Sequence, residues 1–167
     1  MTDISVRVLA ENEWEQYKEV RLRALQESPE AFVADHATEA AFDDEQWQAR
    51  MRRSARLVAE ADGKAIGIVS VRGEDDLFDD AAEIFGLWVA PDMRGAGAAA
   101  ALVQAGAAQA TGHGHRQLVY WVGTDNGRAV AFASSYGFRP TEYRRPMRVR
   151  TDEDGDQELA MVLALNR

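Results

Sequence analysis

The apolar positions of the chain fall into a few distinct rhythms. "SVRVLA", residues 5–10, alternates polar and apolar and predicts a first strand. From Trp14 the spacing widens through Tyr17, Leu22 and Leu25, which is one face of a helix, with Asn12 as its cap and Pro29 as its stop. "DDEQWQARMRR" predicts a second helix capped by Asp43 or Asp44, with Trp14 and Trp47 on the apolar faces of the pair, as core or as the wall of a pocket. "ARLVAEADGKAIGIVSVRG" reads as two strands joined at Asp62-Gly63, a dipeptide that accepts the backbone of a two-residue hairpin. The acidic stretch "EDDLFDDAAE" follows as a loop, solvated or facing a cationic acceptor. "EIFGLWVAP" is apolar almost throughout, which predicts a buried strand ended by Pro91. A helix over 95–111, a strand over 116–122, a helix over 126–136, a strand near 143–149, a turn at "TDEDGD" and a closing strand "QELAMVLAL" complete the pattern. Early helices, a hairpin and then a strand–helix–strand unit predict an α/β chain of mixed α+β type, with helices packed on a mixed sheet.

Composition narrows what such a chain does. A length of 167 residues suits a single domain over 1–167 with a real core. No run of about 18 apolar residues is present, and "MTDISVRVLA" lacks the basic and apolar regions of a signal peptide, so a cytoplasmic protein off the membrane is expected. The absence of cysteine excludes disulfides, thiolate nucleophiles and cysteine-ligated metals. A net charge of −9 argues against nucleic acid, whose phosphates need a basic face. It is compatible with a cationic substrate, and equally with a surplus that serves solubility.

The chemistry concentrates in "PDMRGAGAAAALV", residues 91–103. N–H groups at a helix start have no intrahelical partner, and the helix dipole adds positive potential there. Gly95 and Gly97 let the backbone approach a ligand, and Arg94 adds a forked, permanent charge suited to phosphate. The stretch reads as a diphosphate cradle, or as a tight strand-to-helix turn. No G-x-x-x-x-G-K-S/T occurs, and the dinucleotide fingerprint fails at Ala100.

Arg94-x-x-Gly97-x-Ala99 resembles the Q/R-x-x-G-x-G/A signature of the GNAT superfamily of acyl-CoA N-acyltransferases. "LWVAP" before it looks like that family's fourth strand, and Asn126-x-x-Ala129-x-x-Phe132-x-x-x-x-Gly137-Phe138 is similar to its N-x-x-A … G-F segment. The resemblance runs from about Ala82 to Phe138 and extends to "RLRALQESPEAF" in the early helices. It implies a twisted mixed sheet splayed between strands four and five, with helices on both faces. It implies acetyl-CoA as co-substrate, no metal, and transfer of the acetyl group to a primary amine of a small molecule or protein.

The resemblance also implies roles. Pantetheine would pair with the edge of Leu87, Trp88 and Val89, the mid-strand Gly86 marking a bulge or close approach, or merely a packing accommodation beside Trp88. Arg94, Gly95, Ala96, Gly97, Ala98 and Ala99 would hold the diphosphate. Asn126 would touch the pantetheine arm, cap the following helix, or both. The N–H of Val89 resembles in position the donor to the reacting carbonyl. Glu83 would take the proton from the amine, its competing reading being a glutamate that faces solvent. Trp121 stands where another branch carries a glutamate. The family's usual acid, a tyrosine seven residues after the asparagine, is here Ala133. Tyr136 shares roughly one helix face with it and is either a substitute or a core residue. A thiol with a pKa of about 8.5 can leave unaided.

His113 and His115 have no third ligand nearby in sequence and read as loop residues. A non-catalytic acyl-CoA-binding module and an unrelated phosphate-binding α/β protein are the alternatives to an enzyme. The acceptor is not legible, and a homodimer is left open.

Overall fold

The structure, a computed structural model, describes residues 3–29, 32, 34–73, 78–124, 126–146 and 157–165. Its strands are β1 (Ile4–Val8), β2 (Ala55–Ala61), β3 (Lys64–Gly73), β4 (Ala81–Val89), β5 (Gln117–Gly123), β6 (Arg139–Pro146) and β7 (Gln157–Ala164). They form one sheet in the order β1-β2-β3-β4-β5-β7-β6. Every neighbouring pair is antiparallel except β4 and β5, which are joined in parallel by the crossover helix α4 (Ala98–Gly112).

Helices α1 (Trp14–Glu27), α2 (His36–Ala40) and α3 (Asp44–Arg53) lie on one face, and α4 with α5 (Gly127–Tyr136) on the other. The strand period of two sorts the core accordingly. Leu57, Val69, Ile84, Leu118 and Met161 pack toward α4 and α5, whereas Val58, Ile68 and Trp88 pack toward α1 and α3 with Tyr17 and Trp47. Trp47 is a core residue, with its ring 6.0 Å from that of Tyr17, edge to face. This is the expected mixed sheet with helices on both faces.

Several boundaries differ from the sequence reading, each for a local reason. Residues Glu11–Glu13 form a 3-10 turn, and Asn12 does not cap α1. Glu13 instead returns its carboxylate to the N–H of Ala10, at 2.8 Å. Helix α2 is too short to show a period in the sequence; Asp35 caps it by accepting from the N–H of Thr38 at 2.7 Å. Helix α3 starts as expected, with Asp43 and Gln46 exchanging a reciprocal pair of bonds. The hairpin at Asp62 and Gly63 has φ values of 52° and 76°. Helix α4 begins at Ala98 and not at 95, because the left-handed backbone at Gly97, φ 90°, cannot be helical. Strand β6 begins at Arg139, earlier than expected, and 147–149, all of "TDEDGD" and 74–77 of the acidic stretch lie outside the described residues.

A buried carboxylate locks the three early helices together. Glu39 of α2 accepts two bonds from Arg21 of α1, both 3.0 Å, and one from Arg50 of α3, 2.8 Å. Burial works to raise the pKa of Glu39, and the two arginines outweigh it, leaving the carboxyl below its ordinary value.

Candidate functional site

β4 and β5 pair only from Ala81↔Gln117 to Ile84↔Tyr120. Beyond Ile84 the strands part, while β5 keeps β7 as its other neighbour through Gly123. The cause lies in β4. Its register with β3 shifts by one residue between Phe85 and Trp88, and Gly86 at the bulge has φ 66°. Space is not what demands glycine there, since a Cβ on Gly86 would come no nearer to another atom than 3.9 Å, from Ser70 Oγ; the positive φ is. The splay between strands four and five is therefore built by a glycine bulge.

The wedge exposes a strand edge of known polarity. Ala90 donates its N–H to the carbonyl of Ile66 on β3, at 2.7 Å. Strand alternation then turns the N–H and C=O of Val89 away from β3, into the wedge, and those of Leu87 likewise. Trp88 turns its backbone to β3, opposite Ile68, and buries its indole against α1 and α3. Trp88 thus turns away from the edge that β5 leaves, which Leu87 and Val89 line.

The edge runs straight into the glycine turn. After the 3-10 turn Pro91–Met93, Gly95 and Gly97 take φ values of 87° and 90°, and α4 starts. Among the described residues, no atom beyond the chain neighbours lies within 4 Å of the place where a Cβ would stand on either glycine, so the turn leaves room against its backbone. The side chain of Ala98 is buried, so only its N–H can face that room. Arg94 donates from Nε to the carbonyl of Val89, at 3.1 Å, and from Nη2 to Ser28 Oγ, at 3.3 Å. Ser28 also accepts from Trp88 Nε1 at 3.0 Å, so one buried hydroxyl joins α1, β4 and the turn. Ser28 carries no signal in the sequence beyond its place at a helix end.

Asn126 caps α5, its Oδ1 accepting from the N–H of Ala129 at 3.2 Å, which leaves its amide donors outside that bond. Ala133 is fully buried, where it accepts the N–H groups of Gly137 and Phe138 that close α5. Tyr136 packs on the same core, 6.1 Å from the ring of Phe138, and burial raises the pKa of its phenol.

Glu83 does not face solvent. It is 1% exposed, on the α1–α3 face of β4 and opposite Arg72 on β3. Oε2 accepts from Arg72 and Oε1 from Arg145 Nη2, the latter at 3.3 Å. Arg145 also donates to Glu158 at 2.9 Å and lies 4.1 Å above the ring of Trp121. The chain Arg72–Glu83–Arg145–Glu158 so spans four strands. Sequence reasoning missed both arginines, because only the sheet register brings them to Glu83.

His113 meets Gln109, with Nε2 atoms 2.9 Å apart, and no group of three or more His, Asp or Glu among the described residues is arranged to hold a metal. No described helix is long and apolar enough to cross a membrane.

The model of the acetyltransferase (GNAT) family matches residues 14–138. An uncharacterized N-acetyltransferase from Methanocaldococcus jannaschii is 30% identical over 99 residues, 58% of this chain and 44% of that relative, so the match spans less than half the relative's length. Among solved structures, a candidate acetyltransferase from Salmonella typhimurium with its cofactor acetyl-CoA superposes with a TM-score of 0.73 at 20% identity, covering 98% of this chain and 94% of that one. An acetyltransferase of the GNAT family from Streptococcus pneumoniae gives 0.77 at 17%, covering 98% and 100%. A ribosomal-protein-alanine N-acetyltransferase from Brucella melitensis gives 0.72 at 20%, covering 96% and 99%. At these identities the structural likeness speaks for the fold.

Proposed function

This chain belongs to the GNAT acetyltransferase family, and on that premise we propose that it is an N-acetyltransferase moving an acetyl group from acetyl-CoA to a primary amine. The observation that carries the proposal is the continuity of the wedge: the edge of Leu87 and Val89, which β5 leaves beyond Ile84, runs directly into a glycine turn at the start of α4. Acetyl-CoA fits this shape, because an extended amide-bearing arm can pair with a strand edge and a diphosphate suits helix N–H groups. Bound there, it would supply an activated thioester.

The residues of the chain divide the remaining work. Gly95, Ala96, Gly97, Ala98 and Ala99 would hold the diphosphate through backbone, with Arg94 adding charge. Leu87 and Val89 would orient the arm, and Asn126 would add its amide donors beside it. The N–H of Val89 would donate to the reacting carbonyl as charge develops on its oxygen. Glu83 would take the proton of the amine, directly or through a water. Of its two described bonds the one from Arg145, at 3.3 Å, is the looser and is the one an incoming amine would replace. Tyr136 would contribute packing, and the thiolate would leave without a dedicated acid. The expected setting is the cytoplasm.

The engaged Glu83 and the buried Ala133 favour a second reading, a module that binds acyl-CoA without turning it over. Release of free thiol from acetyl-CoA in the presence of amines separates the two. Sustained, amine-dependent release supports the enzyme. Binding without release supports the module.

A further inference from the structure

Arg56 is a buried cation with no counter-ion among the described residues. It is 5% exposed on β2, and no carboxylate among the described residues lies within ion-pair distance of it. Its Nη1 donates to Ser70 Oγ at 2.7 Å, and Nε and Nη2 reach the carbonyl of Arg50 in the last turn of α3, at 3.3 and 3.1 Å. Those bonds need donors, not a net charge, and the guanidinium lies over the ring of Tyr17, with Cζ 4.9 Å from its centroid, where the ring face offsets only part of the charge. Burial pushes the pKa of Arg56 down; the charges of Arg50, Arg21 and Arg53 add to this against a contribution from Tyr17. A protein does not hold such a group cheaply.

The surroundings point to an anion. Phe85 is the first residue of β4 past its pairing with β5, and both Arg56 and Arg72 flank its ring, with Cζ at 5.7 and 5.6 Å from the centroid. The Arg72 side chain is 41% exposed and uses Nη2 for Glu83, leaving Nε and Nη1 outside that bond. Among the described residues, the buried networks on this side of the sheet set Arg21, Arg50, Arg56, Arg72 and Arg145 against Glu39, Glu83 and Glu158, in a chain whose net charge is −9. Of these, Arg72 is the most exposed, and a cationic acceptor beside Phe85 would meet its charge.

We propose that the acceptor amine also carries a carboxylate, bound by Arg72 beside Phe85 with the charge of Arg56 behind it. The inference rests on the N-acetyltransferase reading above. Glu83 then serves additionally as the residue that aims Arg72.

The test compares matched acceptors in the thiol-release assay: α-amino acids, β-alanine and γ-aminobutyrate, each beside its carboxamide. At the best-fitting spacing the acid should exceed its amide in kcat/KM by about tenfold or more. Arg72→Gln should erase that preference by raising KM for the acid about 10- to 100-fold more than KM for its amide, while any effect on kcat through Glu83 falls on both acceptors alike. Arg72→Lys should restore part of the preference, and thermal unfolding of each variant controls for folding. Amides that match acids at every spacing would overturn the inference and leave the N-acetyltransferase reading standing, as would an Arg72→Gln variant that keeps the parent's acid-to-amide ratio of kcat/KM. No thiol release with any amine would overturn both.

Discussion

Arg94 bonds the carbonyl of Val89, the last residue of β4, at 3.1 Å. The arginine of the glycine turn thereby fixes the turn to the strand edge that offers the Val89 N–H, and Ser28 fixes both to α1. The two halves of the proposed acetyl-CoA site are one mechanical piece.

Arg94→Ala removes this tie together with the proposed charge-assisted phosphate contact. The expected loss in CoA affinity, read by calorimetry, is about 1.5–3 kcal/mol. Ser28→Ala should behave differently, leaving the buried Trp88 Nε1 unsatisfied and costing about 1–3 kcal/mol of stability by denaturant titration. Unchanged CoA affinity in Arg94→Ala would sink the assignment of the turn.

Gly97 caps α4 at φ 90° with open space around it. Gly97→Val should cost about 1–2 kcal/mol of stability from the backbone alone. It should abolish CoA binding, because the branched side chain fills the room the ligand needs. A folded variant that binds CoA normally would show that the turn is only structural.

Glu83→Gln should lower turnover about 10²–10⁴-fold at neutral pH while acetyl-CoA affinity barely moves. Turnover should recover as pH rises and more amine is deprotonated in solution. A change confined to KM for carboxylate-bearing amines would mean that Glu83 only aims Arg72. Tyr136→Phe should have a small effect, and a loss of a hundredfold with CoA binding intact would identify Tyr136 as the acid.

Glu39 carries a pH prediction for the early helices. Its folded-state pKa lies below the ordinary value, so its contribution is present above the unfolded pKa and is lost as pH falls through the folded one. Glu39→Gln should destabilise by about 3–5 kcal/mol at pH 7. The gap to the parent protein, measured by chemical denaturation, should close below about pH 4. An equal gap at pH 7 and pH 3 would contradict the ion-pair account.

The sheet, the hairpin at Asp62 and Gly63, and the turn before α4 are all legible from local signals, because period, turn chemistry and glycine act over a few residues. The catalytic side is legible only as candidates. That Glu83 is gripped by Arg72 and Arg145 depends on the register of β3 with β4 and on the order β5-β7-β6, which pair residues distant in sequence. Trp88 looks like part of the ligand edge because "LWV" is contiguous, and only the bulge at Gly86 decides which of the three faces the wedge. Arg56 gives no sign of its burial, since an arginine within an apolar strand shows its partners only in three dimensions.

The central claim is transfer of the acetyl group to an amine, and the chain has no cysteine to obscure its by-product. Acetyl-CoA, a thiol-reactive dye and a panel of amines, polyamines, aminoglycosides, amino acids and peptides suffice. The account predicts catalytic thiol release that depends on an amine and falls about tenfold or more in Arg94→Ala at sub-saturating acetyl-CoA. Tight CoA binding with no amine-dependent release across the panel would contradict it.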